Sequence, residues 1–250
     1  MTVIVGIKCK DGVVIGADSS ATMGPSPEVK TIEQKVNKIS VIGDRVIVAG
    51  TGEIGLGQRF NAVVRSAWQQ NDKPFNKPPL EVGKYLANRA ITDFKSTHLA
   101  VINFGSLVAF PTENQSHLCE FVQGGFQPEL KTDNSLWYAS MGSGQTICDP
   151  FLGFMRRVFW RDELPAFQDG IFAVTWALQH AIEVNPGGIG GPMQIAVLGP
   201  NKKGQLFARL LDEAALAEHI QNVEGAIDHL KNYAQQPSSE GVLDLPKKPK

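Results

Sequence analysis

The hydrophobic pattern along this chain changes period several times, and the changes divide it into blocks. Val3-Ile4-Val5-Gly6-Ile7-Lys8-Cys9 and Val13-Val14-Ile15-Gly16-Ala17 are β-branched runs around Asp11-Gly12, which predicts a hairpin starting at the second residue. Lys38–Ile42 and Arg45–Ala49 flank Gly43-Asp44 in the same way, a second hairpin after a loop rich in Ser, Pro and Lys. From Ile54 to Trp68 and from Leu80 to Phe94 apolar residues recur at three- and four-residue spacing, as in amphipathic helices covering a sheet. Strand-like composition returns at Leu99–Phe110, His117–Gln123 and Leu136–Ala139, followed by helical spacing at Pro150–Trp160 and Gln168–Val184. Met193–Leu198 and Gln205–Leu210 bracket a Lys-Lys-Gly turn, and Asp212 caps a last helix through Leu216, Ile220, Val223 and Leu230. Strands and helices come in blocks rather than in alternation. Block order predicts an α+β fold, two antiparallel sheets stacked face to face with helices outside: a four-layer αββα sandwich, not a doubly wound parallel sheet.

Composition agrees with one sizeable core. Of 250 residues 42% are hydrophobic and 20% charged, and no linker separates two halves, so residues 1–234 read as a single domain. Residues 235–250, rich in Pro, Ser and Lys, read as a solvated tail. A net charge of −1 supplies no excess of cations for a phosphate backbone, which argues against nucleic acid. There is neither a signal-peptide pattern nor an apolar run of about 20 residues, so no membrane partner is expected and the chain reads as cytoplasmic. Cys9, Cys119 and Cys148 form no CxxC and cannot all be paired; they read as buried free thiols.

Gly50-Thr51-Gly52-Glu53-Ile54-Gly55 matches GxGxxG between a strand and a helix. Dinucleotide binding also needs a parallel strand ending in an acidic residue about 20 positions on, and that stretch here is the loop Gln69–Pro74. A tight strand-to-helix turn explains the glycines better. No GxSxG, HExxH or phosphate loop occurs, and His98, His117, His180, His219 and His229 are scattered, with His219 and His229 expected on the outer face of the last helix. What remains is the N-terminus. Thr2 directly follows Met1; with Met1 removed, one residue carries a hydroxyl and an α-amine, whose pKa near 8 lets it accept the hydroxyl proton.

Thr2–Gly24, with its Val-Gly-Ile strand, Lys-Asp-Gly turn, Ala17-Asp18 pair and Ala-Thr-Met-Gly loop, resembles the start of proteasome β subunits, which are N-terminal nucleophile hydrolases. Asn37-Lys38-Ile39, the Ala49-Gly50 turn, Met141-Gly142-Ser143-Gly144 and Gly190-Gly191 before Ile195-Ala196-Val197 extend the likeness over nearly the whole chain. The Met-Thr start and the long last helix are most similar to the bacterial members, in particular the betaproteobacterial proteasome homologues. The resemblance implies that Thr2 is nucleophile and base, that Lys38 favours the deprotonated hydroxyl, and that Asp18 pairs with Lys38. It implies Gly50 N–H as oxyanion donor, Ser143 as a partner of the N-terminal amine, and Val48 in the pocket for the residue before the cut, favouring a modest apolar side chain. The family has an Asp before its last Gly-Gly strand; this chain has Glu183-Val184-Asn185 there, and Asn185 can keep a hydrogen bond but not the charge.

The implied activity is cleavage of peptides or unfolded proteins without metal or cofactor. It would take place inside a homo-oligomeric ring, two stacked heptamers, fed by an ATP-dependent unfoldase. Two other readings stay open: a weak or silent ring subunit, and an N-terminal-nucleophile amidase acting on small amides.

Overall fold

The computed structural model describes residues 2–23, 32–70, 74–97, 101–132, 136–161, 163–185 and 188–235. Met1, residues 24–31 of the expected loop, Leu99, Pro186, Gly187 and residues 236–250 of the expected tail lie outside them. In chain order the first strands are β1 (Ile4–Lys8), β2 (Val13–Ala17), β3 (Ser20–Met23), β4 (Ile32–Lys35), β5 (Ile39–Ile42) and β6 (Val46–Gly52). Helices α1 (Ile54–Gln69) and α2 (Pro79–Lys95) follow, then β7 (Phe104–Thr112), β8 (Gln115–Phe121), β9 (Pro128–Lys131) and β10 (Tyr138–Met141). The chain continues through α3 (Gln145–Met155), α4 (Phe167–Val184), β11 (Gln194–Pro200), β12 (Leu206–Leu210) and α5 (Glu213–Gln235).

Two five-stranded antiparallel sheets result, ordered β10-β1-β2-β11-β12 and β5-β6-β7-β8-β9. Alternation along each strand decides which layer a side chain enters. In β1, Val5 and Ile7 join Val174, Ala177 and Leu178 of α4, while Ile4 joins Ile47, Leu107 and Leu118 of the opposite sheet. Gly6 belongs to that inter-sheet face, where an added Cβ would lie 2.8 Å from Leu107 Cδ1. On the far side of the second sheet, Phe60 and Val64 of α1 and Leu86 and Ala90 of α2 pack on Val46, Val48, Val108 and Phe121. The layers are therefore α1/α2, sheet, sheet, α3/α4/α5: the αββα sandwich that the block order predicts. Each layer boundary is a fully buried apolar cluster, so the two sheets are held at a fixed separation where the chain's candidate residues meet.

The two expected hairpins form, one in each sheet. The second is closed by residues 43–45, since Ile42 pairs with Val46, and Gly43 and Asp44 there both take positive φ, 55° and 52°. Helix α3 starts at Gln145, five positions before the expected Pro150, which is accommodated inside it; the five residues after the helix, Arg156–Trp160, form a π-helical turn. The segment before Lys38, expected as loop, contains the two-stranded ribbon β3–β4, whose second strand is exposed. His219 is half-buried on α5 rather than outward-facing, while His229 is exposed. No helix among the described residues is long and apolar enough to cross a membrane.

Candidate active site

Three chain segments meet at the open end between the sheets. Thr2 precedes β1 and Asp18 follows β2, neighbouring strands of one sheet, whereas Lys38 leads into β5 of the other. Lys38 Nζ donates to Asp18 Oδ1 at 2.6 Å and to Thr2 Oγ1 at 3.1 Å, so one ammonium links the carboxylate to the hydroxyl. The pair is nearly dry: the Lys38 and Asp18 side chains are 7% and 0% exposed. A buried carboxylate is tolerable only when its lone pairs are used. Asp18 meets this condition, since Oδ1 also accepts from Val3 N–H (2.9 Å), and Oδ2 accepts from Ser20 N–H (3.1 Å) and Gly190 N–H (3.3 Å). Burial pushes the Lys38 ammonium below its ordinary 10.5, and the bond and charge of Asp18 push it back up.

The turn between β10 and α3 holds Thr2 from the other side. Thr2 N–H donates to Ser143 Oγ at 3.1 Å, and Gly144 N–H donates to the Thr2 carbonyl at 3.2 Å. Gly142 has φ +88°, and a Cβ there would run into the Thr2 carbonyl oxygen, so the close approach of this turn depends on glycine. Ser140 Oγ donates to Asp149 Oδ1 at 2.5 Å and Gln145 Nε2 to Asp149 Oδ2 at 3.0 Å, which ties both ends of the turn to the first turns of α3.

A cavity of about 690 Å³ opens from Thr2 and Lys38. Gly50, Thr51 and Gly52 form one wall; β5 pairs with β6 only as far as Ala49, so β6 extends past its neighbour beside the cavity. Gly50, expected at a turn, lies within β6 opposite Ser106; a Cβ there would lie 2.6 Å from the Phe104 ring, so glycine leaves room for an aromatic wall. One face of α1, carrying Ile54, Gln58, Asn61 and Arg65, forms the opposite side.

Thr2, Asp18, Lys38, Gly50 and Ser143 are thus brought together. Val48 is not at the cavity. It is 1% exposed and belongs to the apolar cluster beneath the helix layer; Phe104, of the same cluster, does line the cavity. The cavity lining also includes Ser40, Asn61 and Arg65. Asn185 is the C-cap of α4, half-buried, with its N–H on the Ala181 carbonyl; it is not among the described residues that line the cavity. Sequence reasoning passed over Gly142 as a conformational requirement, Asp149 as a brace, and Gln194, which bonds the backbone on both sides of Asn37. Cys9, Cys119 and Cys148 are buried free thiols away from this cavity, each pushed up to about 12 chiefly by burial.

This fold is that of an N-terminal nucleophile hydrolase. Over 97% of the chain it superposes on all of an Anbu (Gly-1) mutant from Hyphomicrobium sp. strain MC1, with a TM-score of 0.69 and 13% identity. Anbu (ancestral beta-subunit) from Yersinia bercovieri gives 0.67, also at 13% identity, over 96% of this chain and 100% of that one. The chain belongs to the proteasome subunit family, whose family model, "Proteasome subunit", matches residues 2–185. Among curated relatives, a proteasome subunit beta of Nanoarchaeum equitans is 35% identical over 66 residues, 26% of this chain and 32% of that protein. Proteasome subunit beta 1 of Thermococcus kodakarensis is 41% identical over 54 residues, 22% of this chain and 25% of that protein. The matched stretches span a third or less of these relatives' length.

Proposed function

We propose that this chain is a threonine-type endopeptidase subunit of a ring-shaped, self-compartmentalising assembly, with Thr2 as its nucleophile after removal of Met1. The observation that carries this is the contact of Lys38 Nζ with Thr2 Oγ1 at 3.1 Å, backed by a buried Asp18. A surface ion pair would have no reason to share its ammonium with a hydroxyl beside an open cavity.

With Met1 gone, the Thr2 nitrogen becomes an amine held near Ser143 Oγ. Thr2 Oγ attacks a peptide carbonyl while its proton passes to that amine, and Lys38 stabilises the negative charge on Oγ. The tetrahedral oxyanion takes the Gly50 N–H on the open edge of β6. Collapse breaks the C–N bond; the departing amine takes the proton from the Thr2 ammonium and an ester remains. Water, deprotonated by the amine, then attacks the ester and restores the hydroxyl. Asn185 stands where the family carries an acid, so orientation of the amine rests on Ser143 and the Gly142–Gly144 turn. The enzyme acts on peptides or unfolded chains that enter two stacked heptameric rings, with an ATP-dependent unfoldase as the feeding partner, in the cytoplasm.

Hydrolysis of a panel of fluorogenic peptides and of an unfolded protein tests this. The wild-type protein is expected to cleave, and Thr2→Ala and Lys38→Met to lower the rate at least about a hundredfold. An assembled, Met1-free protein that cleaves nothing favours a silent ring subunit, and cleavage confined to small amides favours an amidase.

A further inference from the structure

We infer that Gln194 is a positioning residue for this site: its side-chain amide pins the backbone of residues 36–38, and so sets Lys38 against Thr2 and Asp18. The inference rests on the peptidase reading for its catalytic consequence and on the geometry alone for the clamp.

Thr2 and Asp18 belong to one sheet and Lys38 to the other, so their mutual distances depend on how the two sheets are tied at this end. The apolar cluster between the sheets fixes their separation in the middle of the sandwich, not the path of the chain outside β5. Gln194 opens β11, directly opposite Ala17 and hence next to Asp18, on the sheet that carries the nucleophile. Its Oε1 accepts from Lys38 N–H at 3.1 Å, and its Nε2 donates to the Val36 carbonyl at 2.7 Å. In an extended segment the carbonyl of one residue and the N–H two residues on point to the same side. A primary amide can satisfy both at once, standing in for a strand partner. The two contacts also dictate which end of the amide is oxygen: turned over, Oε1 would face a carbonyl and Nε2 an N–H. Val36 N–H donates to the Ser19 carbonyl at 2.8 Å, one residue from Asp18, so the same segment is stitched to the carboxylate's own loop.

The clamp reaches two functions. Lys38 is itself held through its N–H, and Val36 and Asn37 line the cavity beside it. A displacement of about 1 Å in a catalytic group costs up to about a hundredfold in rate. Methionine has glutamine's length and no hydrogen-bonding amide, and asparagine keeps the amide but is one methylene too short to span both arms.

The test uses the full-length, assembled protein. Acylation by a peptide epoxyketone is followed to separate the first-order step, kinact, from reversible affinity, KI, and hydrogen exchange is read at the Lys38 amide. Gln194→Met is expected to lower kinact by roughly 10- to 100-fold, with the smaller change in KI, and Gln194→Asn to fall between it and wild type. In both variants the Lys38 amide is expected to exchange at least about tenfold faster. A merely structural glutamine would lower stability or assembly yield and leave kinact of the assembled fraction unchanged. Acylation by both variants within about twofold of wild type overturns the positioning role, and an unchanged Lys38 exchange rate overturns the clamp itself. Should Gln194→Met fail to assemble, Gln194→Asn decides alone. Absence of acylation in the wild-type protein would count against the peptidase reading, while the exchange measurement would still decide the clamp.

Discussion

Lys38 Nζ lies 2.6 Å from Asp18 Oδ1 where only 7% of the lysine side chain is exposed. Removing the carboxylate leaves a buried cation without its partner, so Asp18→Asn is expected to destabilise the fold by about 3 kcal/mol in urea unfolding, besides abolishing acylation. The pH dependence has a definite sign. Burial depresses the Lys38 pKa from 10.5, so its favourable contribution is present above 10.5 and lost as pH falls through the lower folded value. Between the two values the unfolded chain binds more protons, and stability due to this group rises with pH. The difference in unfolding free energy between wild type and Lys38→Met is therefore expected to grow in favour of wild type from neutral pH toward 10.5. A flat difference would mean that burial does not perturb this lysine. At this scale a Thr after Met1 says little by itself, and Asp18 and Lys38 taken alone read as a surface charge pair; the sequence marked all three only through the motifs that resemble the family. It was least informative for Val48, because alternation tells which face of β6 a residue takes but not whether that position opens on the cavity or lies in the cluster beneath the helices.

Among the elements, the turn between β10 and α3 makes the most specific demand on sequence. Gly142→Ala places a Cβ at φ +88° and against the Thr2 carbonyl. A loss of about 1–3 kcal/mol in stability is expected, with acylation impaired even at temperatures where the variant is folded. Wild-type stability and reactivity would show that the turn relaxes without consequence for Thr2. The amphipathic helices α1, α2 and α4 were legible to within a residue or two, because a stripe of apolar residues has only one period that buries it. The ribbon β3–β4 and strand β9 were not. Every residue of β4 is exposed, so no alternation marks it, and β9 is a four-residue edge strand opening on a proline. Within the ribbon Ser20 Oγ donates to Glu33 Oε1 at 2.5 Å, a cross-strand bond that no periodicity announces. Gln194 was hidden for a related reason, since its role lies in reaching a segment more than 150 positions away.

For the whole molecule, three apolar clusters stacked through four layers account for the sandwich, and the site lies where the two sheets part. Ring assembly follows from the proposal rather than from one chain, and native mass spectrometry of the purified protein is expected to show a closed homo-oligomer; a monomer at micromolar concentration would contradict it. The most direct test of the central claim is the intact mass of the protein after incubation with a peptide epoxyketone, beside Thr2→Ala. The expected result is a chain lacking Met1 that carries one adduct, with no adduct on the variant. Retention of Met1, or a processed chain that takes up no adduct from several peptide sequences, would contradict Thr2 as the nucleophile.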